Sequence, residues 1–167
     1  MPSKIYWVHQ FTNAARMGIM ARPRGNEWLE EEVGYCKKQG VDIIVSLLER
    51  DEIIELGLKQ EETLCTKHGI QFFNLPIKDR GLPEKSSSTE KFIQTRYKEI
   101  LAGANIVIHC RMGIGRSSII AGAIIQCAGN HTEKIISNII KARGLTVPDT
   151  REQLDWLRQR EKTRPRS

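Results

Sequence analysis

The chain has 167 residues, 40% hydrophobic and 28% charged, with a formal net charge of +6. That length suits a single domain, residues 1–167, with a full hydrophobic core, and the composition excludes disordered and fibrous classes. No stretch approaches the ~18 consecutive apolar residues of a membrane span, and the first residues lack the apolar core of a secretory signal, so a cytoplasmic protein with no membrane partner is expected.

In chain order, residues 4–8 read as a short apolar strand, and 16–21 as a second that could pair with it. Pro23 and Gly25 then break the chain. Asn26 is placed to cap a helix carrying Trp28, Leu29, Val33 and Cys36, which stops at Gly40. Residues 41–47 form a buried-strand pattern. Two short helices, 49–58 and 59–68, precede Gly69, and 71–76 is the next strand. A charged loop follows over 77–85, with Gly81 and Pro83. Ser88 or Thr89 caps a helix that runs to Leu101, with Phe92, Ile93, Tyr97, Ile100 and Leu101 on one face. Residues 105–109 are a further strand. Three helices finish the chain: 116–128, 132–143, and 150 to about 161, the last capped by Asp149.

Strands alternating with helices predict an α/β domain with a short, largely parallel central sheet of four or five strands flanked by helices. Ligands bind beyond the carboxyl ends of the strands in such a sheet. The four cysteines, Cys36, Cys65, Cys110 and Cys127, follow neither a zinc spacing nor a small disulfide scaffold. Reduced thiols are therefore expected, with Cys36 and Cys127 as core residues, and no metal or cofactor. Part of the positive charge lies in Arg158, Arg160, Lys162, Arg164 and Arg166, read as a solvated helix end entering a frayed basic tail over about 162–167. Its basic residues are not interleaved with aromatic platforms, so no nucleic-acid partner is expected. A basic surface favours anionic substrates by steering. A monomer is the favoured state.

The densest signal is His109-Cys110-Arg111-Met112-Gly113-Ile114-Gly115-Arg116-Ser117, set between an apolar strand and an apolar helix. Strand, tight loop and helix N-terminus make an oxyanion cradle: the loop amides can turn inward and the helix end adds partial positive charge. The same field favours a thiolate at the head of the loop. A planar guanidinium at its end can grip two phosphate oxygens.

At these residues the chain resembles the cysteine-based protein phosphatase superfamily. Its signature, His-Cys-x-x-Gly-x-x-Arg-Ser/Thr, is matched at every fixed position. The short N-terminal region makes it similar to the small atypical dual-specificity branch, with a fold like that of the protein tyrosine phosphatases. The resemblance implies Cys110 as nucleophile and Arg116 as phosphate clamp, with Arg111, Met112, Gly113, Ile114 and Gly115 lining the substrate site. It implies that Ser117 donates to the cysteine sulfur and that His109 supports the thiolate. It also implies a general acid and base about thirty residues before the cysteine, and Asp79 fits. Gln153 lies where such enzymes often carry a glutamine that places the hydrolytic water. Glu49 resembles a structural position near the loop. A reversible Cys65–Cys110 disulfide is left open.

The implied activity is hydrolysis of phosphotyrosine and of phosphoserine or phosphothreonine in phosphoprotein substrates through a cysteinyl-phosphate. Three alternatives stay open: a phosphoinositide phosphatase, an RNA 5′-end phosphatase, and a module that binds phosphoproteins without turnover. Among the variable loop positions only Arg111 is basic, which turns the reading away from phospholipids.

Overall fold

A computed structural model describes residues 2–163. Five strands form one sheet in the order β1-β2-β5-β3-β4. They are β1 (Tyr6–Gln10), β2 (Arg16–Met20), β3 (Ile43–Ser46), β4 (Gln71–Asn74) and β5 (Ile106–His109). Only β1 runs antiparallel to its neighbour; β2, β5, β3 and β4 are mutually parallel. The expected α/β architecture is thus present.

Among the described residues, seven α-helices flank the sheet: α1 (Leu29–Lys38), α2 (Arg50–Glu55), α3 (Glu61–Lys67), α4 (Ser87–Leu101), α5 (Arg116–Gln126), α6 (Thr132–Arg143) and α7 (Arg151–Thr163). Alternation along the strands splits the core in two. Met17, Ile19, Ile43, Val45, Ile106 and Ile108 face α5 and its neighbours α4, α6 and α7. Met20, Ile44 and Val107 face α1 and the α3 side. α5 is buried all round, as an apolar helix without a polar stripe must be.

The register lines up the carboxyl ends of the parallel strands. Met20 and Ser46 both pair with His109, and Ser46 pairs with Asn74. Every loop leaving those ends therefore opens on one edge of the sheet, where ligands bind in such folds.

Several boundaries differ from the sequence reading, and four have a clear physical reason. The first strand lies at Tyr6–Gln10 because the turn fixes its register: Phe11 N–H donates to the Ala15 carbonyl, with Ala14 at φ 74°. Asn26 does not cap α1. It sits in a 3-10 turn at φ 53°, and its amide donates to Gly57. Ser86 caps α4, accepting from the Thr89 amide at 3.3 Å. Thr150, not Asp149, caps α7: its Oγ1 accepts from Gln153 N, while Gln153 Oε1 accepts from Thr150 N, both at 3.1 Å. This reciprocal pair is a capping box. Lys162 and Thr163 belong to α7; the rest of the expected basic tail, 164–167, lies outside the described residues.

Candidate active site

The signature loop joins β5 to α5. Its carbonyls are tied on the outside. Arg111 O accepts from the Arg22 amide at 3.2 Å. Met112 O and Gly113 O accept from the Arg143 guanidinium at 3.1 and 2.9 Å. Carbonyls held outward leave the loop amides to face the concave side, the condition for an anion nest. Gly113 makes the turn, at φ 70°, and a Cβ there would lie 2.8 Å from the Met20 backbone. No other residue fits that position.

Cys110 sits at the floor of this loop, 3% exposed. Its Sγ lies 3.3 Å from Ser117 Oγ in the first turn of α5. When the sulfur is a thiolate, the Ser117 hydroxyl donates to it. Arg116 opens α5 and is buried. Its Nη1 donates to Glu52 Oε1 at 2.7 Å and to the Ile77 carbonyl at 2.9 Å, and its Nη2 donates to Glu52 Oε2 at 3.0 Å. Asp79 Oδ1 stands 3.4 Å from the same Nη2, on a carboxylate 59% exposed. Cys110, Ser117, Arg116 and Asp79 thus meet at one strand edge.

Burial opposes the Arg116 charge. The Glu52 bonds, with the nearby Cys110, Glu52 and Asp79 charges, outweigh it and hold the guanidinium above its ordinary value. Burial likewise opposes the Glu52 carboxylate, but its bonds from Arg116 and the Glu49 amide hold it below the usual range. Glu52 is the residue that the sequence does not announce. Glu49, singled out instead, supplies the amide that donates to Glu52 Oε1 at 3.1 Å at the head of α2; the carboxylate that reaches Arg116 comes three residues later.

The remaining loop positions divide by environment. Arg111 is held by Glu55 at 3.2 Å, with Glu52 at 3.8 Å. Met112 is 62% exposed at the lip, and Ile114 packs against the core. A Cβ at Gly115 would lie 2.6 Å from Asp149 Oδ2 and 2.8 Å from Gln153 Oε1. α7 therefore rests directly on the loop.

Gln153 is buried, and both ends of its amide are engaged. Oε1 accepts from Thr150 N, and Nε2 donates to the Gly81 carbonyl at 3.1 Å. It ties α7 to the Asp79 loop. His109 turns away from the cysteine sulfur. Its Nε2 lies 2.7 Å from Glu61 Oε2, and its Nδ1 lies 3.3 Å from the Cys110 carbonyl. Both His109 and Glu61 are buried. Glu61 is a second partner that no motif identified.

Cys65 is a free, fully buried thiol on the α1 and α3 side of the sheet, whereas Cys110 belongs to the core on the other side. Burial, and then the nearby Glu61 charge, push the Cys65 thiol up. The two thiols belong to separate core clusters and are both free in this fold. Cys36 is a core residue and Cys127 is half-buried. Among the described residues, no group of three or more His, Cys, Asp or Glu could hold a metal ion. No helix among them is long and apolar enough to cross a membrane.

Solved structures share this fold. The kinase associated phosphatase (KAP), with serine replacing its catalytic cysteine, superimposes with a TM-score of 0.84 at 21% identity, over 97% of this chain and 96% of that one. PTPMT1 in complex with PI(5)P gives 0.70 at 21% identity, over 87% and 90%. A protein tyrosine phosphatase (putative) from Leishmania major gives 0.68 at 19% identity, over 95% and 98%. No curated protein matches the chain in sequence. The family model Tc-R-P, described as "Polymorphic toxin system, DSP-PTPase phosphatase", matches residues 18–130, which take in Asp79, the whole signature loop and α5. The chain belongs to this family, and it is a small cysteine-dependent phosphatase of the dual-specificity type.

Proposed function

We propose that this chain is a protein phosphatase that hydrolyses phosphotyrosine, and phosphoserine or phosphothreonine, through a cysteinyl-phosphate. One observation carries the reading: the Cys110 sulfur, the Arg116 fork and the Asp79 carboxylate border one loop whose Arg111, Met112 and Gly113 carbonyls are each held by another element.

A phosphate monoester docks with its oxygens on the loop amides and the Arg116 guanidinium, already oriented by Glu52. The Cys110 thiolate attacks phosphorus in line with the leaving oxygen. A sulfur–phosphorus bond forms as the oxygen–phosphorus bond breaks, and Asp79 protonates the departing oxygen. Water then attacks the cysteinyl-phosphate and gives its proton to the Asp79 carboxylate. The sulfur leaves as thiolate, stabilised by Ser117, and inorganic phosphate is released. Amides and Arg116 balance the transition-state charge.

The openness of the site supports protein substrates of more than one kind. Met112 and Asp79 are both exposed at its rim, which supports phosphoserine as well as phosphotyrosine as substrate. Arg111, the single basic residue among the variable loop positions, is engaged by Glu55 and Glu52, which weakens the case for polyanionic lipids. Phosphoinositide is the second reading, favoured by the likeness to the PI(5)P-bound PTPMT1 fold.

Replacing the nucleophile tests the proposal. Cys110→Ser is expected to abolish turnover of p-nitrophenyl phosphate and phosphopeptides while still binding tungstate. Turnover near the wild-type rate would sink it. Faster hydrolysis of phosphoinositides than of phosphopeptides by the wild type would favour the second reading.

A further inference from the structure

A groove of about 760 Å³ opens between the segment that follows the Asp79 loop and the outer side of α7. We propose that this groove holds the substrate chain beside its phosphorylated residue and selects a segment carrying a basic side chain next to an apolar one. The proposal rests on the protein-phosphatase reading and names the class of substrate within it.

Position is the first argument. Leu82, at the near end of the groove, follows Asp79 by three residues, and the Gly81 carbonyl between them is tied to α7 through Gln153. Gln153 also abuts Gly115 of the signature loop. The near end of the groove is thus built from the same contacts that border the site. It follows α7 from Glu152 to Thr163, about 17 Å of helix at ~1.5 Å per residue. An extended peptide rising ~3.3 Å per residue would lay about five residues along it.

Lining is the second. Leu82 is 39% exposed, and with Pro83 and Trp156 it gives the groove an apolar stretch. Around this stretch the charge is opposite to that of the molecule. The chain carries +6 overall, yet the groove is lined by Glu84, Glu90, Glu152 and Asp155 against Lys85 and Arg160. Arg160 is neutralised by Glu90, at 2.6 Å. Asp155 has only long contacts of 3.9 Å to Arg151 and Arg158. Glu84 and Glu152 have no ion-pair partner among the described residues. A polyanion such as an inositol phosphate or an RNA end meets net repulsion here, whereas a lysine or arginine meets carboxylates.

Phosphotyrosine peptides that differ only in carrying Lys, Ala or Glu two to four positions from the phosphoresidue test the proposal. Exposed ion pairs are individually weak, so two carboxylates set a preference in kcat/KM of roughly 2- to 30-fold for Lys over Ala, and a larger one for Lys over Glu. That preference should fade with added salt. In the double variant Glu84→Lys with Glu152→Lys it should invert, and in Glu84→Gln with Glu152→Gln it should fall towards one. Equal rates on all peptides by the wild type would overturn the groove proposal, as would a preference that survives both double variants. If p-nitrophenyl phosphate is hydrolysed in a Cys110-dependent way while the peptides show no bias, the groove alone fails. If no phosphate ester is turned over, the phosphatase reading fails with it.

Discussion

Glu52→Gln is the most informative single change, because it removes one charge and almost no volume from the pair that orients Arg116. In the wild type, two charge-assisted bonds of 2.7 and 3.0 Å join side chains that are 2% and 9% exposed. Deleting one partner of such a buried pair costs about 3–5 kcal/mol. Glutamine keeps one acceptor oxygen, and Arg116 keeps the Ile77 carbonyl and Asp79, so about 3 kcal/mol is the expected loss at pH 7. With a urea m-value of about 2 kcal/mol/M, the unfolding midpoint falls by roughly 1.5 M. Bound tungstate gives Arg116 a new anionic partner, so the gap between variant and wild type should narrow when the oxyanion saturates both. The pH dependence follows from the depressed Glu52 carboxyl. A carboxyl held below its unfolded value contributes its full stability above that value and loses it as pH falls through the folded value. The two proteins should therefore converge as the medium is acidified below about pH 4.3, the unperturbed glutamate value. A gap below 1 kcal/mol at pH 7, or one that does not change with pH or tungstate, would refute the argument.

Other consequences can be measured separately. Asp79→Asn should slow kcat by about 10²-fold or more on phenyl phosphate, whose leaving group needs a proton, and much less on an ester with an acidic leaving group; equal losses on both would point to another acid. Gly115→Ala would push a methyl into Asp149 and Gln153, and should lower both stability and kcat/KM, with the Asp79 loop more readily cut by protease because Gln153 tethers it; an unchanged digestion pattern would contradict the tether. Treatment with peroxide should leave Cys65 reduced in the folded protein, as mass spectrometry of alkylated peptides will reveal; a Cys65–Cys110 crosslink would mean that the sheet opens. Glu61→Ala leaves the buried His109 without its 2.7 Å partner and should lower Tm by several degrees.

The parts of the site that are contiguous in the chain were legible. Cys110, the glycines, Arg116 and Ser117 fall within eight consecutive residues, and a switch from strand to helix period marks their place. Asp79 was legible only through the family resemblance, which implies an acid about thirty residues before the cysteine; its loop leaves a parallel strand two places from β5 in the sheet. What stayed hidden are the side chains that support those groups from afar. Glu52 reaches Arg116 across 64 residues, Glu61 reaches His109 across 48, and Arg143 reaches Gly113 across 30. A glutamate in the first turn of a short helix reads as a helix-capping residue, and only the tertiary fold turns it inward. Gln153 was noticed for a different task; the capping geometry of α7 engages its amide. The strand and helix order followed from hydrophobic periodicity, whereas caps were displaced by a residue or more because several Ser, Thr and Asn side chains compete at each terminus.

The outward ties on the signature loop also set how the site comes apart. Arg22 hangs on the end of β2 and Arg143 on the last turn of α6, so the loop is gripped by two elements remote in sequence. α6 is a peripheral helix closed by Gly144 in a left-handed conformation, and such elements open by sub-global fluctuation more readily than central strands. When α6 lifts, Met112 and Gly113 lose their tethers while the sheet and Cys110 stay in place. Amide exchange in the loop should then follow the opening of α6 and not the unfolding of the domain, and inactivation by heat or mild denaturant should precede the loss of secondary structure.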